Sequence, residues 1–577
     1  MSRSSVLGAG WKCSRPSDSG LGCPPPLLCP TPQPSLIREH HMRGRMMDTP
    51  LLISSLVEHA SRVHGDQQIA TRTVEGPIVH STWAEVLRRS KQLAEALTGA
   101  GIGTSDRVAT LGWNTQRHLE AYYGISGMGA VCHTLNPRLH PTQLVYIMNH
   151  AEDRALLLDT TFVPLAEAVA DELRHVEHYV VMTDREHMPE TSLPNAVSYE
   201  AFIETCPGTY SWPSLDERDA AALCYTSGTT GHPKGALYTH RSTVLHAMGV
   251  AMPDVFNLSR DTCVLPIVPQ FHACAWGLPY AAAVAGSKLV MPGPRLDAEG
   301  LTELLESEQV NFCAGVPSVF LGLIQHWRAS GGAPSALSMV LLGGAAPPQS
   351  LIAALEGEFD IEFRHGWGMT ETSPLGAVNT LLPAHRSWPV EERSAFQTKQ
   401  GRAPYGIELR ILGQAGEVLP HNGQAFGELQ ARGPWVVDGY FGSDETPLTD
   451  EGWFPTGDVA TIDSEAYVQI TDRTKDLIKS GGEWISSIDV ENMAMDHPDI
   501  AMAAVIGVPD EKWGERPLLI AVPASETKPT KEAVLEHLAG SLAQWQLPDK
   551  VIFVDSLPMG ATGKVQKTQL RKEYAGG

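Results

Sequence analysis

Tyr225-Thr226-Ser227-Gly228-Thr229-Thr230-Gly231-His232-Pro233-Lys234-Gly235 packs four Ser/Thr hydroxyls, three glycines and one lysine into eleven residues. That composition suits a polyphosphate. Glycines let backbone N–H groups approach phosphate oxygens, hydroxyls add donors or metal ligands, and a lysine supplies a mobile positive charge. The segment is not a Walker A loop, which closes on Gly-Lys-Ser/Thr; here Lys234 follows Pro233 and precedes Gly235. A flexible Gly/Thr hairpin is the competing reading, since residues 221–225 and 236–238 both have the pattern of short strands.

Four further segments carry complementary chemistry. His365-Gly366-Trp367-Gly368-Met369-Thr370-Glu371 offers a flat aromatic for a base, a hydroxyl for a phosphate and a carboxylate for Mg2+. In Trp453-Phe454-Pro455-Thr456-Gly457-Asp458 a single carboxylate can accept hydrogen bonds from both hydroxyls of a ribose. Residues 472–485 are rich in charge and hold the pair Gly481-Gly482. Thr562-Gly563-Lys564 puts a lysine on a turn, where a lone lysine is ordinarily solvated.

These five segments, in this order, resemble those of the adenylate-forming acyl-CoA synthetase superfamily, and the resemblance runs from about residue 47 to the end. It implies a two-step reaction. A carboxylate attacks the α-phosphorus of ATP to give an acyl-adenylate and pyrophosphate, and the thiol of coenzyme A (CoA) then attacks the adenylate carbonyl and expels AMP. The first step brings two anions together, so cations and donors dominate the catalytic problem. By this resemblance Lys564 is the cation between substrate carboxylate and α-phosphate, and Thr370 touches that phosphate. Glu371 and Thr226 contact Mg2+, an ion that takes hard oxygen ligands. Ser227, Gly228, Thr229, Thr230, Gly231 and Lys234 hold the phosphates, while Asp458 and Arg473 hold the ribose. Gly344, His365, Gly366 and Trp367 line the adenine pocket. Trp367 departs from the more usual tyrosine yet keeps a flat face for stacking; a packed core indole is the alternative. Lys475, Lys479 and Trp484 approach the nucleotide or CoA. Gly481 and Gly482 open a pantetheine channel as a small domain swings, because glycines permit close backbone approach.

Val268-Pro269-Gln270-Phe271-His272-Ala273-Cys274-Ala275-Trp276-Gly277-Leu278-Pro279-Tyr280 bears on the substrate. His272 and Trp276 are four apart, which on a helix places them on one face. Similar segments occur in bacterial medium- and long-chain fatty acyl-CoA ligases, where the tryptophan gates an acyl tunnel, and in methylthiopropionate CoA ligases. Residues 479–487 point to the same branch. The resemblance implies a ligase of medium- to long-chain fatty acids, with His272 a further catalytic residue and Trp276 the gate. A ligase of 3-(methylthio)propionate or another short-chain or aryl acid is the alternative, and a packed core indole is the plainer reading of Trp276. Gln270 stands where a methionine is common, which is expected to reshape the acyl entrance. A peptide-synthetase module would share the nucleotide segments, but the chain ends thirteen residues after Lys564, without room for a carrier domain. A luciferase-like oxidase would share the fold. A non-catalytic sensor would be expected to have lost Lys564, Glu371 or Asp458, and all three are present.

The elements that must position these residues alternate between helical and strand patterns from Thr49 onward, as in an α/β protein. Thr82-Trp83-Ala84-Glu85 reads as a capping box opening a helix that stops at Gly99. Strands are expected at 107–111, 155–158, 288–291 and 339–342, with apolar residues at successive positions as befits burial on both faces. The chemistry-bearing segments mostly follow strand-like runs, where open α/β sheets bind ligands. Residues 467–471 read as a strand and 472–475 as the loop after it. The resemblance makes that loop a hinge near Lys475, joining a large N-terminal domain of stacked α/β subdomains (residues 47–472) to a small mobile α+β domain (residues 473–577). Within the latter a helix is expected at 488–495, strands at 503–506 and 518–522, and a helix at 531–545.

With 577 residues, 42% of them hydrophobic, the chain can bury more than one core. The balance of 43 basic against 66 acidic residues, a net charge of −23, argues against a general affinity for nucleic acid. No apolar run approaches the roughly 18 residues that cross a bilayer. Nine cysteines without paired Cys-x-x-Cys spacing indicate neither a zinc site nor a disulfide framework, so a reducing cytoplasm is the expected home. Residues 1–46 differ in character, being proline-rich, and are expected to be disordered or a mis-assigned start. The resemblance also brings an analogy to dimeric enzymes, which makes a homodimer an expectation.

Overall fold

Short aliphatic runs become the inner strands. Val131–Thr134, Phe312–Gly315 and Met339–Gly343 are buried at every position, the mark of strands covered on both faces. The computed structural model describes residues 44–226, 232–413, 415–480, 483–525, 528–559 and 565–575. The expected extension at residues 1–46 therefore lies almost wholly outside the described residues. The chain from Pro50 onward forms one unit.

Two large sheets carry the architecture. The first has eight strands in the order Leu375–Asn379, Glu362–Gly368, Met339–Gly343, Phe312–Gly315, Cys263–Pro266, Lys288–Met291, Gln68–Arg72 and Ile78–Thr82, antiparallel only at its two edges. The second has seven, from Val197–Ser198 through His178–Val181, Asp153–Leu158, Arg107–Leu111, Val131–Thr134 and Ala220–Tyr225 to Gly235–Thr239, with only the last pair antiparallel. One hydrophobic core contains Ile69 and Val264 of the first sheet, Val108 and Ala222 of the second, and residues of the helices Ile53–His64, Trp83–Gly99, Gln116–Gly127, His240–Ala251 and Leu278–Ala285. These helices lie between the sheets. Separate cores cover the outer faces, using Ala298–Ser307 and Pro317–Ser330 on one side and Pro141–Ala151 and Val163–Val169 on the other.

Local chemistry sets the element ends. Thr82 caps its helix by accepting from the Glu85 N–H at 3.3 Å, but the expected box is only half made, because the Glu85 carboxylate turns to Arg88 instead. Within the same helix Trp83 is fully buried and donates its indole N–H to the Ser287 carbonyl at 3.1 Å. Burying such a side chain contributes about 2–3 kcal/mol.

Two smaller sheets follow. Glu408–Leu412, Phe426–Arg432, Phe454–Ile462 and Val468–Arg473 form a four-stranded antiparallel sheet. A five-stranded sheet has the order Glu483–Ile485, Ile478–Ser480, Gly514–Pro523 and Ile500–Asp510, with Lys550–Phe553 parallel to Gly514–Pro523 and the helices Ser487–Met495 and Lys531–Ala539 completing its core. The sequence expectation placed Asp472 and Arg473 in a loop, whereas both belong to the last strand of the four-stranded sheet. The helix expected at 531–545 ends at Ala539, where Gly540 caps it. Among the described residues no helix is long and apolar enough to cross a membrane.

Candidate active site

Strand ends from both large sheets converge on one cleft of about 1220 Å³. Cys224, Tyr225 and Thr226 reach it from the end of Ala220–Tyr225, Gly343 and Gly344 from Met339–Gly343, and Gly366, Trp367 and Gly368 from Glu362–Gly368. These are carboxyl ends of strands, where open α/β sheets leave space for ligands. The pair Ala220–Tyr225 and Gly235–Thr239 is the hairpin that the sequence allowed, and Thr226 N–H donates to the Lys234 carbonyl at 2.9 Å beside the strand ends. Ser227, Gly228, Thr229, Thr230 and Gly231 lie outside the described residues.

Beside these strand ends Tyr440 holds two charged groups. The Lys234 ammonium sits 4.8 Å from the centre of the Tyr440 ring, and the Tyr440 hydroxyl donates to Glu371 Oε1 at 2.9 Å. Burial and the adjoining Glu371 carboxylate hold that phenol protonated, well above its ordinary range, so it remains the donor. The other oxygen of Glu371 has no hydrogen-bond partner among the described residues, and Glu371 lines the cleft with Thr226 and Thr370. A carboxylate and a hydroxyl fit the hard-ligand preference of Mg2+. Among the described residues no three His, Cys, Asp or Glu side chains gather around one point. Tyr238 donates its hydroxyl to the Thr370 carbonyl at 2.5 Å and so fixes the backbone of the threonine.

A second group forms behind Trp367. Asp458, only 2% exposed, accepts from Arg473 Nε at 2.8 Å on one oxygen and from the Trp367 indole N–H at 3.0 Å on the other. Trp367 thus combines both readings of the sequence, packing on the core of the four-stranded sheet while lining the cleft. Gly376 lies so close that a Cβ there would come within 2.2 Å of the indole.

Several expected site residues fall elsewhere. His365 is buried, its Nδ1 facing the carbonyls of Thr398 and Lys399 at 3.0 and 3.2 Å, and it is absent from the cleft wall. It lies two residues deeper in the strand than Trp367, about 6–7 Å further into the sheet. Burial pushes its pKa down to about 4, so the ring is neutral. Lys479 is exposed and does not line the cleft, whereas Lys475 does. Gly481, Gly482 and Lys564 lie outside the described residues, and of Trp484 only the strand position opposite Lys479 is described. Beside Lys564, however, Val565, Gln566, Lys567 and Thr568 all line the cleft.

His272 and Trp276 both line the cleft, but not as two residues on one face of an α-helix. Ala273, Cys274, Ala275 and Trp276 have φ of 41, 47, 54 and 55°, and Gly277 follows at 76°. The segment is a left-handed turn, a conformation costing L residues roughly 1–2 kcal/mol each. Trp276 lies against the end of Met339–Gly343, where a Cβ added to Gly343 would meet its ring at 3.1 Å. Gln270 is not part of the cleft wall. It is fully buried, and its Oε1 accepts the Thr115 N–H at 3.0 Å at the start of the helix Gln116–Gly127.

Tyr440, Tyr238 and Lys567 went unnoticed in the sequence. The signal for Tyr440 was an aromatic residue between Gly439 and Gly442 outside any hydrophobic period. Lys567 Nζ meets Glu491 Oε1 and Ser487 Oγ, each at 2.6 Å. The buried Asp472 accepts from Ser487 N–H at 2.6 Å and from Ser487 Oγ at 3.0 Å, and Arg571 pairs with Asp476 at 2.6 Å. Burial raises the pKa of Asp472 and Glu491 and lifts Asp489, in the same cluster, to about 6. These bonds tie the last strand of the four-stranded sheet to the segment that follows.

Residues 57–441 match the family described as AMP-binding enzyme, and residues 489–564 match its C-terminal domain. A 3-methylmercaptopropionyl-CoA ligase of Ruegeria lacuscaerulensis is 48% identical over 92% of this chain and 99% of its own length. A medium-chain-fatty-acid–CoA ligase of Ectopseudomonas oleovorans is also 48% identical, over 92% of this chain and 98% of its own. Among solved structures, an anthranilate CoA ligase in complex with anthranoyl-AMP superposes with a TM-score of 0.80 at 23% identity, covering 91% of this chain and 98% of that one.

Proposed function

Since the chain belongs to the AMP-binding enzyme family and is an acid–thiol ligase of the AMP-forming acyl-CoA synthetase kind, we propose that it activates straight-chain carboxylates with no second charge, chiefly medium- to long-chain fatty acids. The observation that carries the substrate reading is the apolar group Phe256, Leu341 and Leu375, which line the cleft and belong to the hydrophobic core against which Trp276 packs. An apolar wall rewards methylenes and strands a second carboxylate. 3-(Methylthio)propionate is the second reading, favoured by the indole seated against Gly343, which shortens the pocket, and by the name of the Ruegeria relative.

The groups on the cleft wall suit the first half-reaction. Lys234 and Thr226 meet the phosphates, and Asp458 with Arg473 and Trp367 orients the ribose. Glu371 and Thr226 would hold Mg2+, which would supply charge neutralisation on the phosphates. Lys564, adjoining the cleft-lining Val565, brings the cation that lets two anions meet. The second half-reaction calls for the small domain to pivot near Lys475, so that Gly481 and Gly482 replace Lys564 at the site. Release of AMP and pyrophosphate with ATP, Mg2+ and CoA, measured across straight-chain acids with methylthiopropionate, cinnamate and benzoate alongside, tests the reading. A maximum at medium or long chains supports it, and a maximum at methylthiopropionate selects the second reading. A maximum at an aryl acid overturns both.

A further inference from the structure

Three buried thiols, Cys132, Cys224 and Cys274, lie beneath the cleft, and the ligase chemistry uses none of them. Two of them touch. Cys224 Sγ and Cys274 Sγ are 3.7 Å apart, and Thr134 Oγ1 steadies Cys224 Sγ from 3.4 Å. Their places in the fold differ sharply. Cys224 stands near the end of the strand Ala220–Tyr225, just before the hydroxyl-rich segment, and forms part of the cleft wall. Cys274 sits in the left-handed turn that carries Trp276.

We propose that Cys224 and Cys274 form a dithiol that hydrogen peroxide oxidises to a disulfide, fastening the turn of Trp276 to the strand that leads into the phosphate-binding segment. Cys224 has almost no exposed surface, yet the surface it has faces the cleft, so a molecule the size of hydrogen peroxide reaches it there and a filled cleft shields it. The Cys224 sulfur attacks one peroxide oxygen and the O–O bond breaks, giving a sulfenic acid and one water. The Cys274 sulfur then attacks the sulfenic sulfur, the S–O bond breaks, and a second water leaves with the thiol proton. Two thiols lose two electrons and two protons, and the peroxide is reduced to two waters. The sulfurs must close by about 1.7 Å to reach disulfide length. Side-chain rotation and a small shift of the turn suffice. The bond holds Trp276 in its present position and slows acid entry, a consequence that rests on the gate reading of Trp276. The bond itself does not.

The test treats the full-length protein with hydrogen peroxide, blocks remaining thiols with iodoacetamide, and maps tryptic peptides by mass spectrometry beside acid-dependent AMP release. A linked peptide pairing Cys224 with Cys274 is expected, abolished by dithiothreitol and suppressed when ATP and acid are bound beforehand. Turnover falls severalfold with the link and returns on reduction. In Cys274→Ser, and independently in Cys224→Ser should the first not fold, the link is absent and the ratio of activity after to before peroxide stays near one. A map without this pair, or a link joining Cys132, overturns the proposal. A link that leaves turnover unchanged overturns the coupling to Trp276. Absence of acid-dependent AMP release in the fully reduced protein is instead a failure of the ligase reading, because the link is read by mass alone.

Discussion

Asp458 and Arg473 stand opposite one another on neighbouring antiparallel strands, and the guanidinium Nε meets Oδ1 at 2.8 Å while the Trp367 indole holds Oδ2. The carboxylate is nearly sealed, yet the Arg473 side chain is 39% exposed. Removing the acid therefore strands no buried charge. Asp458→Ala is expected to raise the KM for ATP by about 10- to 100-fold, the worth of a lost charged hydrogen-bond pair. Its stability cost is about 1 kcal/mol or less from this partly exposed ion pair. Initial rates against ATP concentration, with a thermal melt, check both numbers; an unchanged KM removes Asp458 from nucleotide binding.

Lys564→Ala separates the two half-reactions. Adenylation, followed as acid-dependent exchange between pyrophosphate and ATP, should fall by about 100- to 1000-fold, since a cation opposite two anions contributes most in the transition state. Conversion of supplied acyl-AMP and CoA to thioester should remain within a few-fold of the parent. Equal loss of both steps sinks the role assigned to this lysine.

Acyl preference should follow the contact between Trp276 and Gly343. A methyl at Gly343 would sit 2.8 Å from the Gly366 carbonyl and 3.1 Å from the indole, so Gly343→Ala should push the ring into the cleft. The expected result is lost activity on longer acids with short acids spared, at about 1 to 3 kcal/mol per excluded methylene. Trp276→Ala should shift the optimum the other way. Parallel losses at every chain length in both variants would mean that the indole is packing alone.

Acid should tighten the bond cluster around Ser487. Asp489 has its pKa raised to about 6 by burial and by Asp472, against roughly 4 in an unfolded chain. Its contribution is fully present below pH 4 and is lost as pH rises through 6, because the charged form is the one that burial disfavours. Hydrogen exchange of the helix Ser487–Met495 should slow between pH 7.5 and pH 5 beyond the intrinsic effect of pH, by about 1.4 kcal/mol of opening free energy. Asp489→Asn should remove that excess. A variant with the same pH dependence as the parent rules out Asp489 as its source.

The strands at 107–111, 288–291 and 339–342 were legible because an aliphatic run buried on both faces leaves no other use for its residues. The end of the strand Val468–Arg473 was not, since Asp472 and Arg473 look like loop residues. What makes an aspartate acceptable there is the pair of hydrogen bonds from Ser487, fifteen residues away, which no local pattern reveals. The left-handed turn at Ala273–Gly277 was hidden for the opposite reason. Only its last residue is the glycine that normally announces positive φ, and four-residue spacing reads as right-handed by default. Of the site, the acids and cations at Glu371, Asp458, Lys234 and Arg473 could be found as chemistry, and Tyr440, which holds Glu371 and Lys234, could not. An aromatic residue in a loop acquires that role only when strands distant in sequence bring it beside a charge.

Trp276 and Gly343 belong to the eight-stranded sheet and the turn beyond one of its strands, whereas Asp458 and Arg473 belong to the four-stranded sheet. The proposed gate for the acid and the proposed hold on the sugar thus stand on separate parts of the fold. A lineage can exchange one diet for another through a methyl group or an indole while leaving its grip on the energy currency untouched, and two relatives equally similar to this chain can carry the names of different foods.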